Sequence, residues 1–174
     1  MSDKNARGFR INPLPRSSLT SELSSQIDSA REAGVLSDSL PVQIWAYRPE
    51  IAGKWLSLLS EFHNESILDE RIRELMRLKI ASVTNCDICQ LARKSDRVSE
   101  ADIACIDGDD GVFTDAERAA MNYAYLFATD FQSIGCDMFT ALKEYFSEAE
   151  IVEITMYCAL MLGGGRMTFV HRKS

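Results

Sequence analysis

Apolar side chains recur along this chain at the spacing of an α-helix, and this periodicity restricts the fold more than any other feature. One stripe comprises Leu68, Ile72, Leu75, Met76, Ile80 and Val83, and another comprises Ala120, Tyr123, Ala124, Phe127 and Phe131. Repeats of this kind are typical of helices that bury one face. The sequence shows no sustained strict alternation and no Asn-Gly or Asp-Gly hairpin between strand-like runs. We therefore predict an all-α fold of seven to nine helices without a tandem repeat.

Capping and turn residues divide the helical pattern into segments. Two capping boxes, Thr114 with Glu117 and Ser147 with Glu150, each precede a long apolar run. One further predicted helix ends at Gly34, another runs from Pro41 to Tyr47, and a third begins at Pro49. Four more are predicted to span residues 68–83, 86–97, 99–106 and 137–146. Residues 1–18 are polar and contain proline, so we expect an N-terminal arm followed by one helical domain over residues 19–174.

Charge and hydropathy exclude several classes of partner. The net charge of −7 argues against nucleic acid and anionic membranes, which both require a basic face. The clustered bases, among them Arg77, Arg93 and Lys94, alternate with acids and are predicted to lie on solvated faces. The polar first fifteen residues contain no apolar run, and the stretch 154–162 is too short to span a bilayer. We expect a cytoplasmic protein that binds neither membrane nor nucleic acid.

A Cys-x-x-Cys pair, Cys86 and Cys89, supplies the chemistry. Two thiols three positions apart suit dithiol–disulfide exchange, because one can attack while the other resolves the adduct. Asn85 is a good helix cap, and Cys86 would then meet the free N–H groups of a first turn, which favour a thiolate. Arg93 lies four residues beyond Cys89 and is predicted to share its helical face, adding a positive charge. We predict a reactive pair in a reducing compartment.

Glu74 precedes Cys86 by twelve residues, and this spacing constrains the geometry. On one continuous helix the two residues would lie about 18 Å apart, beyond hydrogen-bond reach. A catalytic role for Glu74 therefore requires the chain to break near Thr84 and Asn85 and to fold back. If it points inward among apolar neighbours, Glu74 could exchange protons near neutral pH.

Other interpretations of these residues remain open. The pair could form half of a zinc site, but His63 and His171 are the chain's two histidines and neither is near another cysteine. It could also be two packed cysteines, and Glu74 could be an exposed helical residue. Cys105, Cys136 and Cys158 are isolated and predicted to lie in the core. Gly163–Gly164–Gly165 favours close packing or a kink in the last helix. We predict no metal and no cofactor.

The motif in its context resembles the alkylhydroperoxidase D-like (AhpD-like) branch of the carboxymuconolactone decarboxylase family. The resemblance rests on Glu74, eleven intervening residues and the Cys86-x-x-Cys89 pair. The segments 68–81, 113–120 and 146–154 are similar to helix starts and to the motif helix of that family, and the likeness covers about residues 41–168. One departure concerns the histidine that the family motif expects four residues after the second cysteine, where this chain has Arg93. An arginine stays protonated and so cannot accept a thiol proton.

The resemblance implies a thiol-dependent peroxidase or disulfide reductase that assembles as a trimer or hexamer. Cys89 would attack, Cys86 would resolve, Glu74 would belong to the proton relay, and an external dithiol or thioredoxin-like donor would reduce the disulfide. Two alternatives remain. One is a decarboxylase-like lyase acting on a small metabolite by acid–base chemistry. The other is a helical oligomer that senses redox state without turnover.

Overall fold

A computed structural model of the chain describes residues 8–84, 87–108 and 111–173. Over these ranges the structure is nine α-helices with two short 3-10 turns, and the β structure there is one isolated bridge between Phe9 and Arg172. The all-α prediction is confirmed. The helices are α1 (Ser21–Glu32), α2 (Leu40–Trp45), α3 (Pro49–Asn64), α4 (Glu70–Val83), α5 (Asp87–Leu91), α6 (Glu100–Ala104), α7 (Asp115–Thr129), α8 (Cys136–Lys143) and α9 (Glu148–His171).

Capping side chains begin the helices where the sequence predicted them. The Thr114 hydroxyl accepts the Glu117 N–H, and the Glu117 carboxylate accepts the Thr114 N–H in return. Ser147 and Glu150 make the same reciprocal pair at the start of α9. Each pair satisfies two N–H groups that a helix start otherwise leaves free. Both predicted capping boxes are confirmed.

The tertiary contacts group into two units. Unit 1 comprises Met1–Glu65 and Met167–Ser174. Its core is built by α1, α2 and α3 around Leu23, Ile27, Val42 and Leu56, which are almost completely buried. A tryptophan pair, Trp45 and Trp55, packs edge to face at this core with ring centroids 6.2 Å apart.

Unit 2 comprises Ser66–Arg166 and contains the cysteine motif together with Glu74. Helices α4 and α7 are its centre, and its core residues include Leu75, Leu78, Val98, Phe113 and Met121. Leu75 is fully buried and directly follows Glu74, so the motif helix is fixed in the core at that point.

Gly165 lets α9 approach the end of α4 closely. A Cβ atom at Gly165 would lie 3.3 Å from Thr84 Oγ1, tighter than ordinary van der Waals contact. Thr84 is the C-cap residue of α4 and lies at the predicted break. The prediction of close packing at the glycine run is therefore confirmed at this residue. None of the helices in the described ranges is both long and apolar enough to cross a membrane.

Candidate functional site

The chain breaks between the glutamate helix and the cysteine helix, as the Glu74 spacing required. Helix α4 begins at the Asp69 cap and ends at Val83, and α5 begins at Asp87. Cys89 lies on α5, whereas Cys86 and its predicted cap Asn85 fall outside the described residues. The α5 backbone folds back against α4. The contact that shows this is a hydrogen bond from the guanidinium of Arg77 on α4 to the carbonyl oxygen of Cys89.

The cysteine helix is shorter than predicted. We expected it to reach about Arg97, but α5 ends at Leu91. Arginine side chains take its terminal carbonyls: Arg77 Nη1 donates to the Cys89 oxygen at 2.6 Å, and Arg93 Nη1 donates to the Gln90 oxygen at 2.5 Å. The last carbonyls of a helix have no partner within it, and side-chain donors of this kind allow it to stop.

Glu74 points inward and its carboxylate is fully engaged. The residue is 2% exposed. Its Oε1 accepts a hydrogen bond from Arg77 Nη2 at 2.7 Å and one from the Lys94 backbone N–H at 3.0 Å. Its Oε2 accepts one from Arg77 Nε at 2.7 Å. This two-bond fork between a guanidinium and a carboxylate is the strongest geometry available to such a pair.

Arg77 joins Glu74 to the cysteine helix, a role that we did not predict from the sequence. We predicted that Arg77 lies on a solvated face. This prediction is wrong, because the residue is 7% exposed. Besides the fork to Glu74, its Nη2 donates to the Ala92 carbonyl at 2.7 Å. A signal was available, since an arginine three residues after a glutamate on one helix can pair with it. The structure thus connects Glu74 and Cys89 through one side chain.

Arg93 lies outside the cysteine helix. Because α5 ends at Leu91, the prediction that Arg93 shares the helical face of Cys89 is wrong. Its guanidinium forms a fork with Glu100, with Nε–Oε1 at 2.7 Å and Nη2–Oε2 at 3.0 Å. The hydrogen bond from Arg93 lowers the pKa of Glu100, and the same bond raises the pKa of Arg93. A role for Arg93 in the chemistry stays a prediction.

Lys94 and Tyr157 complete the surroundings of the Glu74–Arg77 pair. Burial, followed by the nearby charge of Arg77, lowers the pKa of Lys94 to about 8, while Glu74 acts in the opposite direction. Lys94 is half-buried, so the prediction that it lies on a solvated face holds only in part. Burial also raises the pKa of Tyr157 on α9, which lies within electrostatic range of Glu74 and Arg77. The pair is thus enclosed by two further titratable groups from other segments.

We expect Lys94 to make stability rise with pH between about 8 and 10.5. In this window the unfolded amine, with its usual pKa of 10.5, still binds a proton that the folded amine has lost. The unfolded state binds more protons, so the free energy of unfolding increases with pH. The measurement is urea unfolding at several pH values for the wild type and Lys94→Met, and the wild type minus the variant should show this rise.

The free energy of unfolding of Lys94→Met must be subtracted from that of the wild type, because Cys158 makes stability fall with pH in an overlapping range. Burial raises the pKa of the Cys158 thiol to about 12, so the unfolded thiol ionises first and stability falls above about pH 9. Both proteins in the comparison retain Cys158, and its contribution cancels. A difference that stays flat from pH 7 to 10.5 would contradict the assignment to Lys94.

The remaining cysteines differ in environment. Cys89 is disulfide-bonded. Cys136 and Cys158 are free thiols, and Cys158 is fully buried as predicted. Cys105 is half-buried against the core of unit 2, whereas Cys136 is exposed, so the prediction of a core position is wrong for Cys136. It begins α8, where a side chain of the first turn can face solvent. Among the described residues, no group of three or more His, Cys, Asp or Glu side chains could hold a metal ion.

No protein-family model matches the chain. No curated protein matches it either.

Solved structures share the fold. The debrominase Bmp8 in its apo form matches with a TM-score of 0.76 and 17% identity, covering 92% of this chain and 88% of Bmp8. A cysteine-to-alanine variant of Bmp8 in complex with 2,3,4-tribromopyrrole matches with a TM-score of 0.77 and 17% identity, covering 94% and 90%.

A third similar structure is ATU0492 of Agrobacterium tumefaciens, a protein of unknown function for which an AhpD antioxidant-defence role has been suggested. It matches with a TM-score of 0.61 and 25% identity, covering 72% of this chain and 90% of that protein. The predicted AhpD-like helical fold is confirmed by this similarity.

Proposed function

We propose that this protein is an AhpD-like dithiol–disulfide oxidoreductase that reduces peroxides in antioxidant defence. The observation that carries the proposal is the position of Cys89. This residue is disulfide-bonded, and its carbonyl is held by Arg77, which is itself paired with the buried Glu74. A cysteine that is oxidised in one state, on a short helix anchored to a charged pair, has the arrangement that thiol–disulfide chemistry requires.

In the proposed reaction the Cys89 thiolate attacks one oxygen of the peroxide O–O bond. The O–O bond breaks, and the departing alkoxide takes up a proton and leaves as an alcohol. Cys89 becomes a sulfenic acid. The Cys86 thiol then attacks the sulfenic sulfur, a disulfide forms and water leaves. An external dithiol or thioredoxin-like donor supplies the two electrons and two protons that restore both thiols. We propose a cytoplasmic homo-oligomer, a trimer or hexamer, as the working form.

The test is peroxide consumption by the fully reduced protein with a dithiol reductant. We expect several equivalents of peroxide to be consumed per chain, with the two motif thiols recovered after each cycle. Thiols should be counted by peptide mass spectrometry, because the exposed Cys136 would add to any bulk count. If no peroxide is consumed and both motif thiols stay reduced, the peroxidase proposal is wrong.

A second candidate is reductive removal of halogen from an aromatic ring. It is favoured by the similarity to Bmp8, which extends over 92% of this chain, whereas the similarity to ATU0492 covers 72%. A thiolate would take the halogen, a proton would replace it on the ring, and the second thiol would displace halide and form the disulfide. The same assay with 2,3,4-tribromopyrrole distinguishes the candidates, since bromide release without peroxide consumption would favour this one.

The two remaining alternatives make different predictions in these assays. A lyase acting on a small metabolite by acid–base chemistry does not need thiols, so its activity would survive alkylation of Cys86 and Cys89. A redox sensor would oxidise once, slowly, and would not turn over. Turnover that is lost on alkylation would argue against both alternatives.

A further inference from the structure

Arg77 is the residue on which three segments of unit 2 converge. Its guanidinium makes four hydrogen bonds, two to the Glu74 carboxylate on its own helix and one each to the carbonyls of Cys89 and Ala92. Glu74 makes a second contact with the segment after α5 by accepting the Lys94 N–H. All these contacts are 3.0 Å or shorter, and Glu74 and Arg77 are almost completely buried.

The network balances charge next to Cys89. The positively charged guanidinium lies 2.6 Å from the carbonyl oxygen of Cys89, so a charge is bound to the backbone of the residue that carries the thiol. The Glu74 carboxylate compensates this charge. Among the described residues, Lys94 and Arg93 beyond α5 and Tyr157 on α9 also interact electrostatically with the pair, and Arg73 on α4 interacts with Tyr157.

We propose that Arg77 is a positioning residue for Cys89, which anchors the carboxyl end of α5 to α4 and offsets the charge of Glu74 at the thiol. This inference rests on the proposed thiol chemistry and adds to it a residue outside the motif. It also assigns Glu74 a different task. Both carboxylate oxygens of Glu74 are occupied by three donors, so its task is to hold Arg77 in place. The proton relay that the family resemblance implied for Glu74 is not needed.

The two roles of Glu74 predict opposite signs for one measurement. If Glu74 were the base that takes the thiol proton, Glu74→Gln would disfavour the thiolate of Cys89. If Glu74 instead offsets Arg77, Glu74→Gln leaves the positive charge of Arg77 uncompensated and favours the thiolate. Arg77→Met should act in the reverse direction, because it leaves the negative charge of Glu74 uncompensated.

The experiment follows iodoacetamide alkylation of Cys89 against pH in the reduced full-length chain. Cys86→Ser is the background, so that Cys89 cannot re-form a disulfide with that position, and peptide mass spectrometry reports Cys89 separately. We expect Arg77→Met to slow alkylation at pH 7 about tenfold, which corresponds to a midpoint about one pH unit higher. We expect Glu74→Gln to lower the midpoint. We expect Arg77→Lys, which keeps the charge that Arg77→Met removes, to have a midpoint close to the wild-type value.

Arg71→Met is the matched control. Arg71 lies on the same helix and also forms a fork with carboxylates, to Asp102 and Glu117, together with a bond to the Arg97 carbonyl. In the part of the chain that the structure describes, these hydrogen bonds all go to residues outside α5, so the Cys89 midpoint should stay at the wild-type value in this variant. Circular dichroism would establish that each variant is folded before alkylation.

The inference is overturned if Glu74→Gln leaves the midpoint unchanged or raises it. Should Arg77→Met fail to fold, Glu74→Gln still decides by the sign of its shift, and Arg77→Lys should keep a midpoint close to the wild-type value. The alkylation assay uses no peroxide, so its outcome is independent of the proposed function. Shifts of the expected sign without peroxide turnover would support Arg77 as a positioning residue and refute the peroxidase. Peroxide turnover with unshifted Cys89 midpoints would support the peroxidase and refute Arg77 as a positioning residue.

Discussion

Replacement of Cys89 by serine is expected to abolish peroxide turnover, lowering kcat/KM by about 10³-fold or more. Serine has nearly the same shape but ionises far less readily, so it cannot attack the O–O bond at neutral pH. The expected result for Cys86→Ser is different. Here Cys89 is still oxidised, but no second thiol at that position resolves the sulfenic acid, so at most one peroxide is consumed per chain.

For the wild type and Cys89→Ser the measurement is peroxide consumption with excess dithiol reductant. Cys86→Ser is instead reduced, freed of reductant and then given peroxide, because excess dithiol would itself reduce the sulfenic acid and restore turnover. The mass of the peptide that contains Cys89 is recorded in each case. Cys136→Ser is the matched control, because Cys136 is an exposed free thiol at the start of α8 and should leave turnover unchanged. A sulfenic acid trapped on Cys89 in the Cys86→Ser protein would identify the attacking sulfur. Full activity in Cys89→Ser would rule out the assignment of Cys89, and full activity in Cys86→Ser would rule out a resolving role for Cys86.

The helices of this chain could be predicted because their signals are local. Apolar spacing, proline at a first turn and reciprocal capping pairs act within a few residues, and α3, α7 and α9 begin where these signals occur. The break between α4 and α5 could also be predicted, because the Glu74 spacing and the cap signal near Asn85 pointed to the same place. Local agreement of this kind is what a sequence analysis can detect.

The site could be predicted only in part, because its remaining determinants depend on tertiary structure. The end of α5 at Leu91 depends on donors that come from Arg77, twelve residues before Cys89. Burial of Arg77 depends in turn on α5 folding back over it. Arg93 pairs with Glu100 on the next helix, and this partner removes it from the face on which helical spacing would have placed it. The clustered bases were predicted to lie on solvated faces, and this prediction failed at Arg77, which pairs with Glu74 in the core.

Breaking the Glu74–Arg77 pair should produce a large loss of stability. The side chains are 2% and 8% exposed, so either charge left alone would remain buried. Removal of one partner from a buried ion pair typically lowers the free energy of unfolding by about 3–5 kcal/mol. Arg77→Met should be the more severe change, because it also leaves the Cys89 and Ala92 carbonyls without this donor.

The measurement is urea unfolding of the wild type, Glu74→Gln, Arg77→Met and the double variant. Because the double variant leaves no buried charge from the pair, it should lose less stability than the sum of the single losses, with a coupling of about 0.5–3 kcal/mol. The matched control is Lys143→Met, which breaks the exposed pair with Glu148, whose side chains are 55% and 84% exposed. Exposed pairs contribute about 0–1 kcal/mol, so this change should be small. Equal losses for Arg77→Met and Lys143→Met would contradict a buried, charge-compensated pair and would remove the structural basis for anchoring α5 through Arg77.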